Sequence, residues 1–200
     1  MIVLTVHAAA AWQLFTVLSP HDMLRAVLIH GEHKRKGDYP VILVSSCLAG
    51  MKVRYNGTDC LDETIARLLE EQKAMAVCPE LLGGFSTPRE PAEIVGGDGG
   101  DVLAGTARVM DRSGADVTEL YLKGAYVTLE MARSAGATAV VLKENSPSCG
   151  SRLIYNGTFS GTKQSGHGVT TALLRANGIK VVSEAELERL FQTEQSKGTI

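Results

Sequence analysis

Aromatic residues are scarce in this sequence of 200 residues: they make up 5% of it, with a single tryptophan. An excess of one charge is lacking too, since 20 Lys and Arg are balanced by 22 Asp and Glu. The resulting net charge of −2 gives no electrostatic footprint for nucleic acid. No stretch reaches the ~20 uninterrupted apolar residues of a membrane span. We therefore expect no membrane partner and no nucleic-acid partner.

Cysteine is also rare. The four cysteines, at positions 47, 60, 78 and 149, are too few and too widely spaced for a disulfide scaffold in a chain of this size. They indicate a cytoplasmic protein that keeps its cysteines as thiols or as metal ligands. The apolar content of 44% is enough for the core of one domain. The composition leaves open whether the chain forms a homo-oligomer.

The first 39 residues differ from the rest. The apolar start "MIVLTVHAAAAWQLFTVLSP" lacks the basic region of a secretory signal, and "HGEHKRKGDYP" resembles a polar linker. We interpret residues 1–39 as an N-terminal extension that is poorly ordered or loosely docked. Residues 40–200 are then the folded domain.

This second part alternates between apolar strand patterns and amphipathic helix patterns. The predicted strands lie within 40–47, 75–80, 137–144 and 179–183. The predicted helices lie within 61–74, 118–134, 168–177 and 184–195. The Gly- and Pro-rich run 83–101 predicts a long loop, and 102–118 predicts a hairpin or a strand with a turn at Ser113-Gly114. The alternation predicts a single Rossmann-like α/β domain, whose mostly parallel open sheet has flanking helices.

Three cysteines each follow the end of a different predicted strand: Cys47, Cys78 and Cys149. Ligands of open α/β sheets bind at the carboxyl ends of the strands, so these thiols should converge on one edge. Three thiolates can hold a four-iron cluster and leave one iron open as a Lewis acid. A zinc site with Cys60 or a histidine as the fourth ligand is the competing interpretation, although no Cys-x-x-Cys knuckle is present. Three unconnected core cysteines remain a further alternative.

Other side chains close to these cysteines in sequence are candidates for proton transfer or binding. Glu80, two residues after Cys78, is a proton donor or acceptor if it reaches the same cavity, and otherwise an ordinary surface residue. Ser146 and its neighbour Ser148 either hydrogen-bond a substrate or stabilise their turn. Arg89 is a candidate anion ligand, although single basic residues are more often solvated.

The tetrapeptide Tyr-Asn-Gly-Thr occurs twice, at 55–58 and 155–158, once after each of two cysteine loops. It predicts either two similar walls of one site or two Asn-Gly turns without a ligand role. The Gly-containing stretches 96–99 and 157–161 are weaker candidates for backbone nests that bind phosphate.

Taken together, several motifs in this order resemble the thiouracil desulfurase family, formerly known as a bacterial domain of unknown function. The motifs are "VSSCLAG", "VCPELLGGFSTPREPAEIVGGDG", "SPSCG" and "GHGVTTALLRANGI", and the resemblance runs from about residue 41 to 186. It does not cover residues 1–39, and Cys60 has no counterpart in it.

The resemblance implies an enzyme that removes sulfur from a thiolated pyrimidine, as the free base or a nucleotide, and releases hydrosulfide. It implies a 4Fe-4S cluster on Cys47, Cys78 and Cys149, and catalytic roles for Glu80 and Ser146. A non-catalytic zinc-binding module, or a persulfide sulfurtransferase with Cys149 as its nucleophile, remain the alternatives.

Overall fold

The computed structural model describes residues 42–187. The predicted extension at 1–39, and the part of the last predicted helix beyond residue 187, lie outside this range. In chain order the elements are β1 (Ile42–Ser45), α1 (Glu63–Glu70), β2 (Ala74–Val77), α2 (Pro79–Gly83), β3 (Ala92–Val95), α3 (Gly99–Leu103), β4 (Arg108–Asp111), α4 (Thr118–Ser134), β5 (Ala139–Leu142), β6 (Leu153–Tyr155), β7 (Lys163–Ser165), α5 (Val169–Ala176), β8 (Lys180–Ser183) and a 3-10 turn (Glu184–Glu186).

Four strands form a parallel sheet in the order β2-β1-β5-β8. The two central strands, β1 and β5, are buried along their whole length, which explains why both consist of apolar residues ending in Ser45 and Leu142. The edge strands are less buried: the first three residues of β2 are only partly buried, and burial alternates along β8. The predicted Rossmann-like α/β class, with a parallel sheet and flanking helices, is confirmed.

The helices begin and end where the sequence provides local signals. Asp62 caps α1 by accepting hydrogen bonds from the backbone N–H groups of Thr64 and Ile65. The longest helix, α4, has the bounds predicted from its pattern, and Gly136 follows it with a φ of 60°. Ser183 and Glu186 form the predicted capping box at the 3-10 turn. None of the helices in the described range has the length and apolar character needed to cross a bilayer.

Two glycines allow α2 and α4 to pack closely. A Cβ atom on Gly83 would lie 2.2 Å from the Leu120 carbonyl oxygen, and one on Gly124 would lie 2.0 Å from the Pro79 carbonyl oxygen. Neither distance is tolerable for a side chain, so both positions need glycine. This contact fixes α2, a helix of five residues that directly follows β2, against the longest helix of the domain.

The prediction of a long loop at 83–101 is wrong. This run contains the end of α2, the strand β3 and the start of α3, and β3 pairs antiparallel with β4. The Gly-rich stretch becomes helical because Asp98 and Asp101 form a capping box at the start of α3. The predicted turn at Ser113-Gly114 is confirmed by the hydrogen bond from the Gly114 N–H to the Asp111 carbonyl.

Candidate functional site

A cavity of about 320 Å³ lies at the carboxyl ends of β1, β2 and β5. Its wall contains all five residues singled out from the sequence: Cys47, Cys78, Glu80, Ser146 and Cys149. The strand order changes direction between β1 and β5, and this is the position where open α/β sheets bind ligands. The topology therefore accounts for the convergence of side chains that are up to about a hundred residues apart in sequence.

The three thiols around this cavity are close enough to affect each other's ionisation. The pKa of Cys47 is raised to about 12, first by burial and then by Cys78 and Cys60. The pKa of Cys78 is raised to about 11, first by burial and then by Glu80. Burial also raises the pKa of Cys149 well above its ordinary value, with further contributions from Glu80, Cys78 and Cys47.

Such a group of crowded, protonated thiols has the donor chemistry of a soft metal site, since a coordinating cation removes the thiol protons. Within residues 42–187, no three His, Cys, Asp or Glu side chains are arranged to hold a single metal ion. A zinc ion would need its sulfur ligands about 2.3 Å from one point. A multi-iron cluster accepts thiolates that are spread around a larger volume, because each binds a different iron. Three thiols around one cavity are a donor set that can bind three irons of a four-iron cluster.

Glu144 shapes the turn that carries Cys149. Its Oε1 accepts hydrogen bonds from the N–H groups of Ser151, Arg152 and Leu153, at 2.9–3.0 Å, and its Oε2 accepts one from the Ser151 hydroxyl at 2.7 Å. Burial alone would raise the pKa of Glu144, but these hydrogen bonds outweigh it and lower the pKa. The carboxylate thus closes the 144–153 segment on itself.

The same turn is also bound to the start of α5. The Ser148 hydroxyl lies 2.8 Å from that of Thr170, and the Thr171 hydroxyl donates to the Cys149 carbonyl at 2.9 Å. A Cβ atom on Gly168 would lie 2.4 Å from the Ser148 carbonyl group, so the two segments touch through their backbones. Of the two roles predicted for Ser148, the contacts therefore support stabilisation of the turn and not binding of a substrate.

Glu80 lies mostly buried in the cavity wall, not on the surface. It lies in the first turn of α2, and its Oε2 accepts two hydrogen bonds from Arg89, from Nη2 at 2.6 Å and from Nε at 2.8 Å. The exposed fraction is 14% for the Glu80 side chain and 8% for Arg89. The expectation that Arg89 is solvated is therefore wrong, because this guanidinium is the partner of a buried carboxylate.

Ser146 connects Glu80 to the Cys149 turn. Its hydroxyl donates to Glu80 Oε1 at 3.3 Å and accepts the N–H groups of Ser148 and Cys149 at 3.1 and 3.2 Å. The two backbone donors occupy the oxygen, so the hydroxyl hydrogen points to Glu80. Tyr121, from α4, completes this side of the wall, and its pKa is raised well above the ordinary value, first by burial and then by Glu80.

The two Tyr-Asn-Gly-Thr segments form matching turns. In each turn the Asn Oδ1 accepts hydrogen bonds from the N–H and the hydroxyl of the Thr two residues later. The glycines have similar φ values, 74° at Gly57 and 83° at Gly157. Both tyrosines line the cavity, which favours the interpretation as two similar walls of one site.

The first residues of the predicted backbone nest at 157–161 do bind an anion, but this anion is a carboxylate side chain of the protein itself. The N–H groups of Gly157 and Phe159 both donate to Glu93 Oε2, at 2.9 and 3.0 Å. The stretch 96–99 leads into the capping box of α3 and is not a nest for a ligand. Sequence reasoning missed Glu93, and no local signal marks it, because its partners lie about 65 residues away in sequence.

Cys60 lies beside Cys47 but not in the cavity wall. Its backbone N–H donates to the Cys47 carbonyl at 2.9 Å, and both residues pack against the same apolar cluster under β1. Cys60 therefore neighbours Cys47 but does not line the cavity that the other three thiols share.

Comparison with known proteins identifies the family of this chain. The family model described as 2-thiouracil desulfurase matches residues 42–186. The uncharacterized protein YbbK of Bacillus subtilis (strain 168) is 63% identical over 151 residues, which are 76% of this chain and 100% of YbbK. The chain is also similar to the solved structure of a [4Fe-4S]-dependent thiouracil desulfidase, TudS, with a TM-score of 0.69 and 42% identity, over 78% of this chain and 98% of that one.

Proposed function

We propose that this chain, which belongs to the 2-thiouracil desulfurase family, hydrolyses the C=S group of a thiolated pyrimidine to C=O with release of hydrosulfide. Water supplies the oxygen, and no electrons are exchanged. The observation that carries the proposal is the convergence of three strand-end thiols with the Glu80–Ser146 pair on one cavity. The free base is the substrate proposed here, and its nucleotide is the alternative.

The proposed cofactor is a 4Fe-4S cluster held by Cys47, Cys78 and Cys149. When bound, it would supply one iron without a protein ligand as a Lewis acid for the soft thiocarbonyl sulfur. The support from this chain is the donor set: three protonated thiols that line one cavity.

Glu80 and Ser146 would transfer the protons of the reaction as general acid–base groups. Arg89 occupies Oε2 of Glu80, so Oε1, which faces the Ser146 hydroxyl, is the oxygen that accepts a proton from the attacking water. Ser146 is fixed by two backbone donors and therefore presents its hydroxyl in one direction. Tyr121 and the apolar part of the wall limit the access of other water molecules.

The persulfide sulfurtransferase is disfavoured by the state of Cys149. A nucleophilic cysteine needs a lowered pKa, which a nearby cation or a helix N-terminus provides. Burial, and the negative charge of Glu80, raise the pKa of Cys149 instead. A buried thiol of this kind is a poor nucleophile and becomes a thiolate only when a metal binds. The free thiols at 47, 60, 78 and 149 fit the reducing cytoplasm, which we propose as the location.

Anaerobic reconstitution with iron and sulfide tests the proposal. The purified chain should gain the visible absorbance of a cluster, with iron and acid-labile sulfide in equal amounts, and should convert 2-thiouracil to uracil and hydrosulfide. Alanine at Cys47, Cys78 or Cys149 should each abolish both the absorbance and the turnover. Glu80→Gln and Ser146→Ala should keep the absorbance and lose about 100-fold or more of the turnover.

Cys60→Ala is the matched control, because this cysteine adjoins Cys47 but does not line the cavity. It should retain both the cluster and the activity. A stable cluster in the Cys78→Ala variant would contradict the ligand assignment, and bound zinc without labile sulfide would favour the zinc module.

A further inference from the structure

Phe159 has an unusual backbone conformation at the cavity wall. Its φ is 55°, in the left-handed region that bulky residues rarely adopt, and the residue lines the same cavity as the three thiols. Strained residues of this kind persist where the surrounding structure holds them, and they concentrate at ligand sites. We propose that Phe159 is the residue on which the pyrimidine ring of the substrate stacks, and that Glu93 is the residue that positions it. This inference rests on the proposed function.

A buried carboxylate holds Phe159 in this conformation. Glu93, on β3, is only 7% exposed, and one of its oxygens accepts the N–H groups of both Gly157 and Phe159. Burying a carboxylate is costly unless it is hydrogen-bonded. The two backbone donors meet this requirement and at the same time set the direction in which the chain leaves the turn at Phe159. Glu93 and Phe159 therefore form one structural unit.

The first Tyr-Asn-Gly-Thr turn provides an internal comparison. There the Gly57 N–H donates to the Arg54 carbonyl of the same turn, and a Cβ atom on Gly57 would meet nothing within 4 Å. In the second turn the Gly157 N–H is given to Glu93, and a Cβ atom on Gly157 would lie 2.5 Å from the Ile94 carbonyl oxygen. The same tetrapeptide thus closes on itself in one case and is pressed against β3 in the other. Only the docked turn is followed by an aromatic residue.

The chemistry of the position suits a flat heterocycle. A phenyl ring has a π-face on which any nucleobase can stack. It cannot hydrogen-bond the small polar molecules that a hydrolytic site must also admit. Arg112, another residue of the cavity wall, has its guanidinium carbon 6.0 Å from the centre of the Phe159 ring and helps to fix the ring plane. The stack would orient the pyrimidine so that its C=S group is directed to the thiols.

Substitutions at Phe159 test the stacking role in the cluster-loaded enzyme under anaerobic conditions. Phe159→Ala should raise both the KM for 2-thiouracil and the inhibition constant of uracil by about 5- to 150-fold, the range that one base–aromatic stack contributes. Phe159→Tyr should keep both constants within about 3-fold, because the ring is retained. Phe159→Gly should weaken binding as much as Phe159→Ala, but melt at a higher temperature than Phe159→Ala, because glycine adopts a positive φ without strain. Tyr126→Ala, which removes a 54% exposed aromatic residue from α4, should change neither constant.

The positioning role of Glu93 is tested by a double-mutant cycle. Glu93→Ala should raise the same two constants, and Glu93→Gln should restore most of the binding, because an amide oxygen still accepts the two N–H groups. In the Phe159→Ala background, Glu93→Ala should cause little further loss, since it acts through the ring that is already missing. Losses that multiply in full would show that Glu93 acts independently of Phe159 and would overturn its positioning role.

Failure of this inference is distinguishable from failure of the proposed function. If wild-type enzyme converts 2-thiouracil while Phe159→Ala leaves both constants unchanged, the stacking role is wrong and the desulfurase assignment stands. If reconstituted wild-type enzyme neither binds uracil nor converts 2-thiouracil, the proposed function itself is wrong.

Discussion

The ion pair between Arg89 and Glu80 gives the sharpest test of how this site is built. We predict that Arg89→Met strongly destabilises the domain. The substitution keeps most of the side-chain length but removes the charged partner that residues 42–187 provide for a carboxylate whose side chain is 14% exposed. Glu80 would then retain the single hydrogen bond from Ser146, at 3.3 Å, in place of three.

The expected magnitude follows from the burial of both partners. Removing one member of a buried ion pair costs about 3–5 kcal/mol, because the other charge stays buried without compensation. For a domain of this size each kcal/mol lowers Tm by about 2–4 °C, so Arg89→Met should lower Tm by about 6–20 °C. Thermal unfolding of the loaded enzyme, followed by far-ultraviolet circular dichroism under anaerobic conditions, measures this shift.

A surface pair supplies the matched control. Arg108 donates to Asp116 at 3.1 Å, but its side chain is 74% exposed, so Arg108→Met should leave Tm nearly unchanged. The double variant Glu80→Leu/Arg89→Met should recover much of the lost stability, since no unpaired charge remains, yet should be inactive. A Tm for Arg89→Met no lower than that of Arg108→Met would refute the reasoning that burial makes this pair strong.

Two further predictions concern packing and pH. Gly124→Ala should lower Tm and turnover together, because the added methyl group would lie 2.0 Å from the Pro79 carbonyl oxygen and displace α2 with its glutamate; melts and assays of the same samples check this. In cluster-free protein, the pKa values of Cys47 and Cys78 are about 12 and 11 against an ordinary 9.0. The unfolded chain therefore loses these protons first, and the free energy of unfolding should fall as pH rises from about 9 toward 11. Denaturant titrations across this range measure the slope, and replacing both cysteines by serine should make it less steep, with Cys149 still contributing; an unchanged slope would show that the two thiols are not buried in solution.

The parallel sheet and the meeting of the three thiols could be predicted from the sequence. The strands β1 and β5 are continuous apolar runs, which buried central strands require, and Cys47 and Cys149 follow them in polar turns. Parallel strands bring such turns to the same edge regardless of their separation in sequence. The bounds of α4 were equally predictable from its pattern and from Gly136 after its end.

The shorter elements and the pairings between distant residues could not be predicted. The helix α2 spans five residues and the strand β3 four, too few to show a period of their own. Local signals were nevertheless present for two short helices: Pro79 lies in the first turn of α2, and Asp98 directly precedes α3. The pairing of Glu80 with Arg89 depends instead on how the intervening chain folds back, which no local pattern records.

The hydrogen bonds that Glu144 accepts from residues 151–153 give the Cys149 turn its shape independently of any iron. In the proposed enzyme, loss of the cluster would leave these hydrogen bonds of the polypeptide in place. One folded chain could therefore bind a new cluster repeatedly. Restoring activity after loss of the cluster would require delivery of iron and sulfide to the folded site, and not the synthesis of a new chain.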